Sequence, residues 1–247
     1  MTGLVTLRAQ VRRRLLITYR VEPDVAQSLI PEPFRPQLVD GSAVAGVCVI
    51  GLRSIRPGWL RPHVGFRSEN IAHRIAVEWS EHGETRTGVY VLERHSSSIL
   101  PVLAGGRLFP GVQKHGRVDL DESETRFRVQ MSAPGTQVAV DVELGGPWTS
   151  TLFPTVDAAS SFYEHGSVGW SPKRDGAGAE PLQLTSPDWE VEPAHAVSVQ
   201  SSFFDALPPG SAVLDSVVAM RDLPFFWNTP RITPERETRP SATAVSP

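Results

Sequence analysis

Over much of this chain apolar residues recur at every second position, the period of a strand with one face buried. Leu15, Ile17, Tyr19 and Val21 alternate strictly, so residues 1–21 read as an extended segment. A short helix is predicted over Pro23–Ile30, closed by Pro31, Pro33 and Pro36, through which no helix continues. Asp40-Gly41 is a tight-turn signal, and the apolar run Ser42–Leu52 behind it reads as a buried strand. Arg53–Ser68, punctuated by Pro57, Gly58, Pro62 and Gly65, reads as a long irregular loop of the kind that covers a site. Glu69–Ser80 and Arg86–Glu93 then read as strands joined by a hairpin at Glu81-His82-Gly83-Glu84.

The period changes after that. Ser96, Ser97 and Ser98 are N-cap candidates for an apolar helix that runs to about Phe109 and ends at Pro110-Gly111. Strands return at Arg117–Leu120, Glu124–Ser132 and Gln137–Leu144, the last two joined by Ala133-Pro134-Gly135-Thr136. Thr155–His165 has a helical pattern with Phe162 and Tyr163 on its apolar side. Short strands follow at Leu182–Leu184, Val191–Gln200 and Ala212–Met220, with a helix or turn at Ser202–Leu207. From Thr229 onward there is too little apolar surface to offset ordering entropy, so residues 229–247 are expected to be a disordered tail behind a single domain, 1–228. Many short strands with two or three helices predict an α+β fold, predominantly antiparallel β, in which a curled sheet or barrel encloses a small-molecule cavity.

Composition narrows the partners. A net charge of -3 offers no basic footprint for a phosphate backbone, so no nucleic acid is expected. Arg12, Arg13 and Arg14 precede only a short apolar run, too short for a membrane span or a signal-peptide core, and a soluble cytoplasmic protein is the default. Cys48 is the single cysteine, which excludes an intramolecular disulfide; it reads as a packed core thiol. The seven histidines lack compact ligand spacing, so no metal site is expected.

Candidate chemistry centres on Gly105–His115. Lys114 is one of two lysines among 24 basic residues, and lysine alone among the strong bases can shed its proton and act as an amine nucleophile. The alternative is a solvated loop lysine. Gly106-Arg107, Gly111 and Lys114 resemble the Gly-Arg-Glu-x-x-Gly-x-Pro-Lys pattern around the Schiff-base lysine of acetoacetate decarboxylases. The wider order of features over about residues 10–228 resembles the YqjF-like group of that superfamily. These features are Val-Glu-Pro-Asp-Val-Ala before Ile-Pro-Glu-Pro-Phe, the Asp-Gly turn, Ser68-Glu69-Asn70, the serine-capped helix into Gly-Arg, and Ser161-Phe162-Tyr163.

The resemblance implies a β-rich fold around a cone-shaped cavity, a homo-oligomer, and a lyase of decarboxylase or aldolase-dehydratase type. Such an enzyme acts on a small keto acid through an iminium on Lys114, and that chemistry calls for no cofactor. Glu69 aligns with a pocket glutamate of the family and is cast as an acid/base or orienting group; otherwise it is a strand-end carboxylate paired with Arg67 or Arg74. Arg107 is a candidate for binding a substrate carboxylate or for fixing the helix end. His115, Arg74 and His95 complete the substrate-binding candidates, with His73 beside them. Leu108, Gln113 and His115 depart from the family's glutamate, proline and second lysine. These departures leave open a second reading, a β-barrel pocket or biosynthetic enzyme that keeps the fold without a Schiff base.

Overall fold

The predicted alternation is realised as one continuous sheet. A computed structural model describes residues 7–57, 66–98 and 111–235. Its strands are β1 (Leu7–Val21), β2 (Arg35–Pro36), β3 (Leu38–Val39), β4 (Ser42–Pro57), β5 (Phe66–Glu81), β6 (Glu84–Ser96) and β7 (Lys114–His115). They continue as β8 (Arg117–Glu122), β9 (Arg126–Ala133), β10 (Thr136–Leu144), β11 (Val168–Pro172), β12 (Ala179–Thr185), β13 (Glu192–Ser201) and β14 (Ala212–Asn228). The helices among the described residues are α1 (Pro23–Ser28), α2 (Val156–His165) and α3 (Ser202–Asp205).

β1 pairs antiparallel with both β4 and β14, so the succession β1-β4-β5-β6-β11-β12-β14 returns to its first strand. The sheet is thereby closed into a ring, and β13, β10, β9 and β8 leave it at β14 as a limb. Among the described strands only the pairings of β6 with β11 and β7 are parallel. The fold is the predominantly antiparallel α+β architecture that the pattern predicts.

Closure gives every ring strand an inside and an outside. On β1 the odd positions Leu15, Ile17 and Tyr19 pack outward with Ile71 and Ile75 of β5, Phe127 and Val129 of β9, and Val138 and Val140 of β10. Leu16 faces inward, with Val44, Cys48 and Val218, onto Ala159 and Tyr163 of α2. This explains why β1 is apolar on both faces over its second half, where single alternation would leave one face polar. The helix that plugs the ring starts at Thr155, whose hydroxyl accepts the Ala158 amide at 3.1 Å. It is pinned to β1 by a 2.7 Å hydrogen bond between Tyr163 Oη and Thr18 Oγ1.

Several boundaries differ from the sequence expectation. The segment expected to be an irregular loop, Arg53–Ser68, is strand as far as Pro57 and again from Phe66; residues 58–65 lie outside the described residues. Ile55 and Phe66 pair across it and join an apolar cluster with Val11, Leu52 and Phe225, so packing overrides the proline and glycine signals. Ser96 ends β6 rather than capping a helix, and its hydroxyl bonds that of Ser68 at 2.7 Å. The helix expected over 99–109 lies outside the described residues. β11 is a strand for which the sequence offered no signal, five residues long and held between β6 and β12. Past β14, the amide of Glu235 donates to Ser80 O and that of Thr233 to Glu81 Oε1, and residues 236–247 lie outside the described residues.

Gly46 sits where β4 lies between β1 and β5, opposite Thr18 and Arg74. A Cβ there would lie 2.2 Å from Ile17 O, a backbone atom that cannot swing aside. Gly46→Ala is therefore expected to lower the unfolding free energy by at least about 2 kcal/mol, read from the urea midpoint, by splaying the pairing that closes the ring.

Candidate functional site

The inner side of the ring holds a half-open cavity of about 140 Å³. That is close to the roughly 150 Å³ of an apolar protein cavity able to hold a benzene, so the space suits a small organic molecule. Its described walls are largely apolar, with Ile50, Val89, Val91, Leu182, Leu184 and Trp227 among them. Set into that lining are Arg14, Arg74 and Arg94, with Cys48, Asn70, Gln113 and Tyr163. No aspartate or glutamate lines the cavity among the described residues.

Each arginine reaches this interior because of strand parity. Arg14 lies on the same face of β1 as Leu16, and Arg74 on the same face of β5 as Ala72 and Asn70. Arg94 depends on a bulge. Between β5 and β6 the register moves from His73 opposite Glu93 to Arg74 opposite Val91, leaving Leu92 as an extra residue. That extra residue lets Val91 and Arg94 both face inward while Glu93 and His95 face outward.

The guanidinium groups differ in what satisfies them. Arg14 is 6 % exposed; its Nη1 donates to the sulfur of Met220 at 3.9 Å, its guanidinium also acts on the Cys48 thiol, and its Nε has no partner. Its charge lies over the rings of Trp189 and Phe225, 5.7 Å from each centroid. Arg74 lies over the Tyr163 ring at 5.9 Å and has no acidic partner among the described residues. Burial lowers its pKa first of all, and the nearby Arg14 lowers it further. Arg94 donates to Ser171 Oγ at 3.3 Å, and burial brings its pKa down to about 10, against the pull of Glu180. An arginine remains protonated through such shifts, so the cavity is cationic at neutral pH.

A second polar cluster occupies the outer side of the same strands. Lys114 Nζ donates to Glu93 Oε1 at 3.0 Å, and its side chain is 51 % exposed. Glu93 also accepts from Thr136 Oγ1 at 3.3 Å and lies 3.9 Å from His73 Nδ1. His73 Nε2 is 2.9 Å from Ser201 Oγ. Burial raises the Glu93 pKa, but the Lys114 hydrogen bond and charge outweigh it and the net shift is down. Burial depresses the His73 pKa to about 4, so this imidazole is neutral at pH 7. His95 is fully buried, its pKa also lowered by burial, and neither ring nitrogen has a partner. Ser201 has no exposed surface, so this serine, histidine and glutamate form an internal tie between the ring and the limb, closed to a substrate.

Glu69 belongs to the outer side as well. It pairs with Arg13, not with Arg67 or Arg74, and Arg13 also donates to Glu122 Oε2 at 2.8 Å. Burial raises the Glu69 pKa against the opposing charges of Arg13 and Arg12. His115 is exposed on β7, opposite Ser96. Arg107 and Leu108 lie outside the described residues. Of the candidates read from the sequence, then, Arg74 is the one that lines the cavity, while Lys114 and His95 meet at Glu93 on the other face. Gln113, one residue before Lys114, is the member of that stretch that faces inward. Among the described residues no group of three or more His, Cys, Asp or Glu side chains could hold a metal ion. No helix among them is long and apolar enough to cross a membrane.

A family model described as DUF2071, uncharacterized conserved protein (COG2071), matches residues 8–214. The chain belongs to this family. No curated protein matches the sequence. Among solved structures, an acetoacetate decarboxylase-like enzyme from Sphingomonas wittichii RW1 is similar at 13 % identity and a TM-score of 0.56, over 96 % of this chain and 94 % of that one. Acetoacetate decarboxylase from Legionella pneumophila matches at 14 % identity and a TM-score of 0.58, over 93 % and 86 %. The enduracididine biosynthesis enzyme MppR, in complex with pyruvate, matches at 14 % and 0.53, over 93 % and 88 %. This DUF2071 chain thus has the acetoacetate decarboxylase-like fold that its sequence features imply.

Sequence reasoning missed Arg14, Arg94, Cys48 and Gln113 as cavity residues of this DUF2071 chain. The signal available for Arg14 was parity. It shares a period with Leu16 inside a strand, which is an unusual place for an unpaired charge. For Arg94 no such signal existed, because the bulge at Leu92 reverses the parity.

Two outcomes are expected. Removing an unbalanced, partly buried cation favours the empty fold, so Arg74→Met should leave the urea midpoint unchanged or raise stability by about 1–2 kcal/mol. His73 contributes stability in its neutral form. That contribution is present above the unfolded-state pKa of 6.5 and is lost as pH falls toward about 4, when the unfolded chain takes up a proton that the fold refuses. Urea titrations should show a loss on the order of 3 kcal/mol across that window, flattened in His73→Gln.

Proposed function

We propose that the ring cavity of this protein binds a small organic acid of the keto-acid class without a covalent amine adduct. The carboxylate sits against Arg14 and Arg74, and the carbon skeleton against Val89, Val91, Leu182 and Leu184. The observation that carries the reading is a pair of guanidinium groups on the cavity wall, Arg14 buried and Arg74 partly buried, with no aspartate or glutamate in that wall among the described residues. A buried charge without a partner is costly, and an anionic ligand is what removes the cost. Arginine's planar fork suits a carboxylate, and the apolar walls suit a short carbon chain. MppR was solved with pyruvate, which supports the same ligand class here.

The Schiff-base alternative rests on the sequence position of Lys114. It needs a neutral amine next to the bound carbonyl. The Lys114 amine instead donates to Glu93 on the outer face, half exposed and away from the cavity wall. The chain's other lysine, Lys173, is exposed in a turn. Decarboxylation also fits poorly with the arginine pair. A cation beside the carboxylate stabilises the charged group that decarboxylation consumes, so the pair favours binding, or a reaction that keeps the acid group.

Calorimetry with pyruvate and acetoacetate, against acetone as a neutral control, tests the reading. Both acids should bind and acetone should not. Arg14→Met and Arg74→Met should each weaken binding by about 10- to 150-fold, the equivalent of roughly 1.5–3 kcal/mol for a charge-assisted hydrogen bond, whereas Lys114→Arg should leave it unchanged. Equal affinity for acids and acetone would remove the proposal. A borohydride-trapped adduct on Lys114 would replace it with the Schiff-base lyase.

A further inference from the structure

We propose that Cys48 is a nucleophilic thiol in the ring cavity, placed to add to electrophilic carboxylic acids such as 2-enoates. The inference deepens the binding reading above and rests on it, since the arginine pair must first seat the acid.

The placement is the first argument. Cys48 lies on β4, opposite Leu16 of β1 on one side and Ala72 of β5 on the other. Two residues along, Ile50 of β4 faces Arg14, and two residues back Gly46 faces Arg74. Cys48 therefore lies between the register positions of the two arginines, and all three residues line the cavity. It is shielded from bulk water, being 8 % exposed. Arg14 supplies the independent evidence that a ligand belongs here, because it is 6 % exposed with its Nε unpartnered in the same wall.

The electrostatics agree with that geometry. Burial alone pushes the thiol pKa up, but Arg14, Arg74 and Arg94 outweigh it and the net shift is down. An apolar barrel interior would make a cysteine inert; this one has cations close enough to favour the thiolate.

The addition balances without a redox partner. The thiol proton leaves to water, and the thiolate forms a carbon–sulfur bond to the β-carbon of the 2-enoate. The π pair moves to the α-carbon, whose developing charge is shared with the carboxylate held by Arg14 and Arg74, and a proton from water completes the thioether. The net change is addition of S–H across C=C.

Acrylate and acrylamide, used on the folded full chain and on the chain in urea, provide the test, with the adduct at Cys48 quantified by mass spectrometry. Acrylamide is the better intrinsic electrophile, since its double bond is not deactivated by a carboxylate charge. In the folded protein the order should reverse, with acrylate adding to Cys48 at least about tenfold faster, and the preference should vanish in urea. Arg74→Met should slow acrylate more than acrylamide, because both lose thiolate and only acrylate also loses a partner for its carboxylate. A folded-state preference no different from that in urea, or no acrylate adduct at all, would overturn the assignment. Calorimetric binding of pyruvate by the same unmodified protein would show in that case that the binding reading survives and the nucleophile does not.

Discussion

The antiparallel pairing of β1 with β14 is the contact on which the rest of the molecule depends. It runs from Leu7 opposite Trp227 to Val21 opposite Ala212, and it turns an open sheet into a ring. A ring strand has no free edge to template aggregation, and its two faces become chemically different spaces. One face is enclosed with α2 as its plug; the other is covered by the limb of β8, β9, β10 and β13. Gly46 shows how tight the closure is, since its Cβ position would fall 2.2 Å from the carbonyl of Ile17 on the adjoining strand.

Once the ring is closed, a single residue step decides which chemistry a side chain belongs to. Arg13 and Arg14 are adjacent, yet Arg13 ties Glu69 and Glu122 on the outside while Arg14 enters the cavity. His73 and Arg74 separate in the same way, as do Gln113 and Lys114. Outer cations meet carboxylates and His73 meets the Ser201 hydroxyl, although both nitrogens of His95 stay unpartnered. The inner guanidinium groups have no carboxylate in the cavity wall among the described residues. This difference argues that the outer cluster serves the packing of two layers and that the inner one is available to a ligand.

Much of the framework was legible in the sequence. The strict alternation at Leu15–Val21, the Pro-Gly turn before Thr136, and the Thr155 cap each rest on local rules that tertiary structure had no reason to override. The strands through Pro57 and from Phe66 were less legible, because their support is long-range packing against Val11 and Phe225. The cavity was the least legible part. A motif-based reading selects Lys114 by its neighbours in sequence, but facing direction is set by parity and by bulges. The extra residue at Leu92 moves Arg94 inward with no trace in composition or spacing. Arg74 was within reach as a candidate because it sits in a plain alternating stretch.

The same parity bears on how a shared fold can host different reactions. An amine near Arg14 and Arg74 would be driven toward its neutral form by burial and by like charge, the two effects that make a lysine nucleophilic. The residue of that stretch on the inner wall is Gln113, an uncharged amide with its Oε1 unsatisfied, and the amine one step on pairs with Glu93 on the other face. What the cavity keeps is its cationic field, and what it has in place of an amine is a thiol in that field. Arginines favour a thiolate as readily as they disfavour an ammonium, so one electrostatic design activates either nucleophile. The ring fixes where the cationic field lies. Which atom waits beside it depends on one position along a strand.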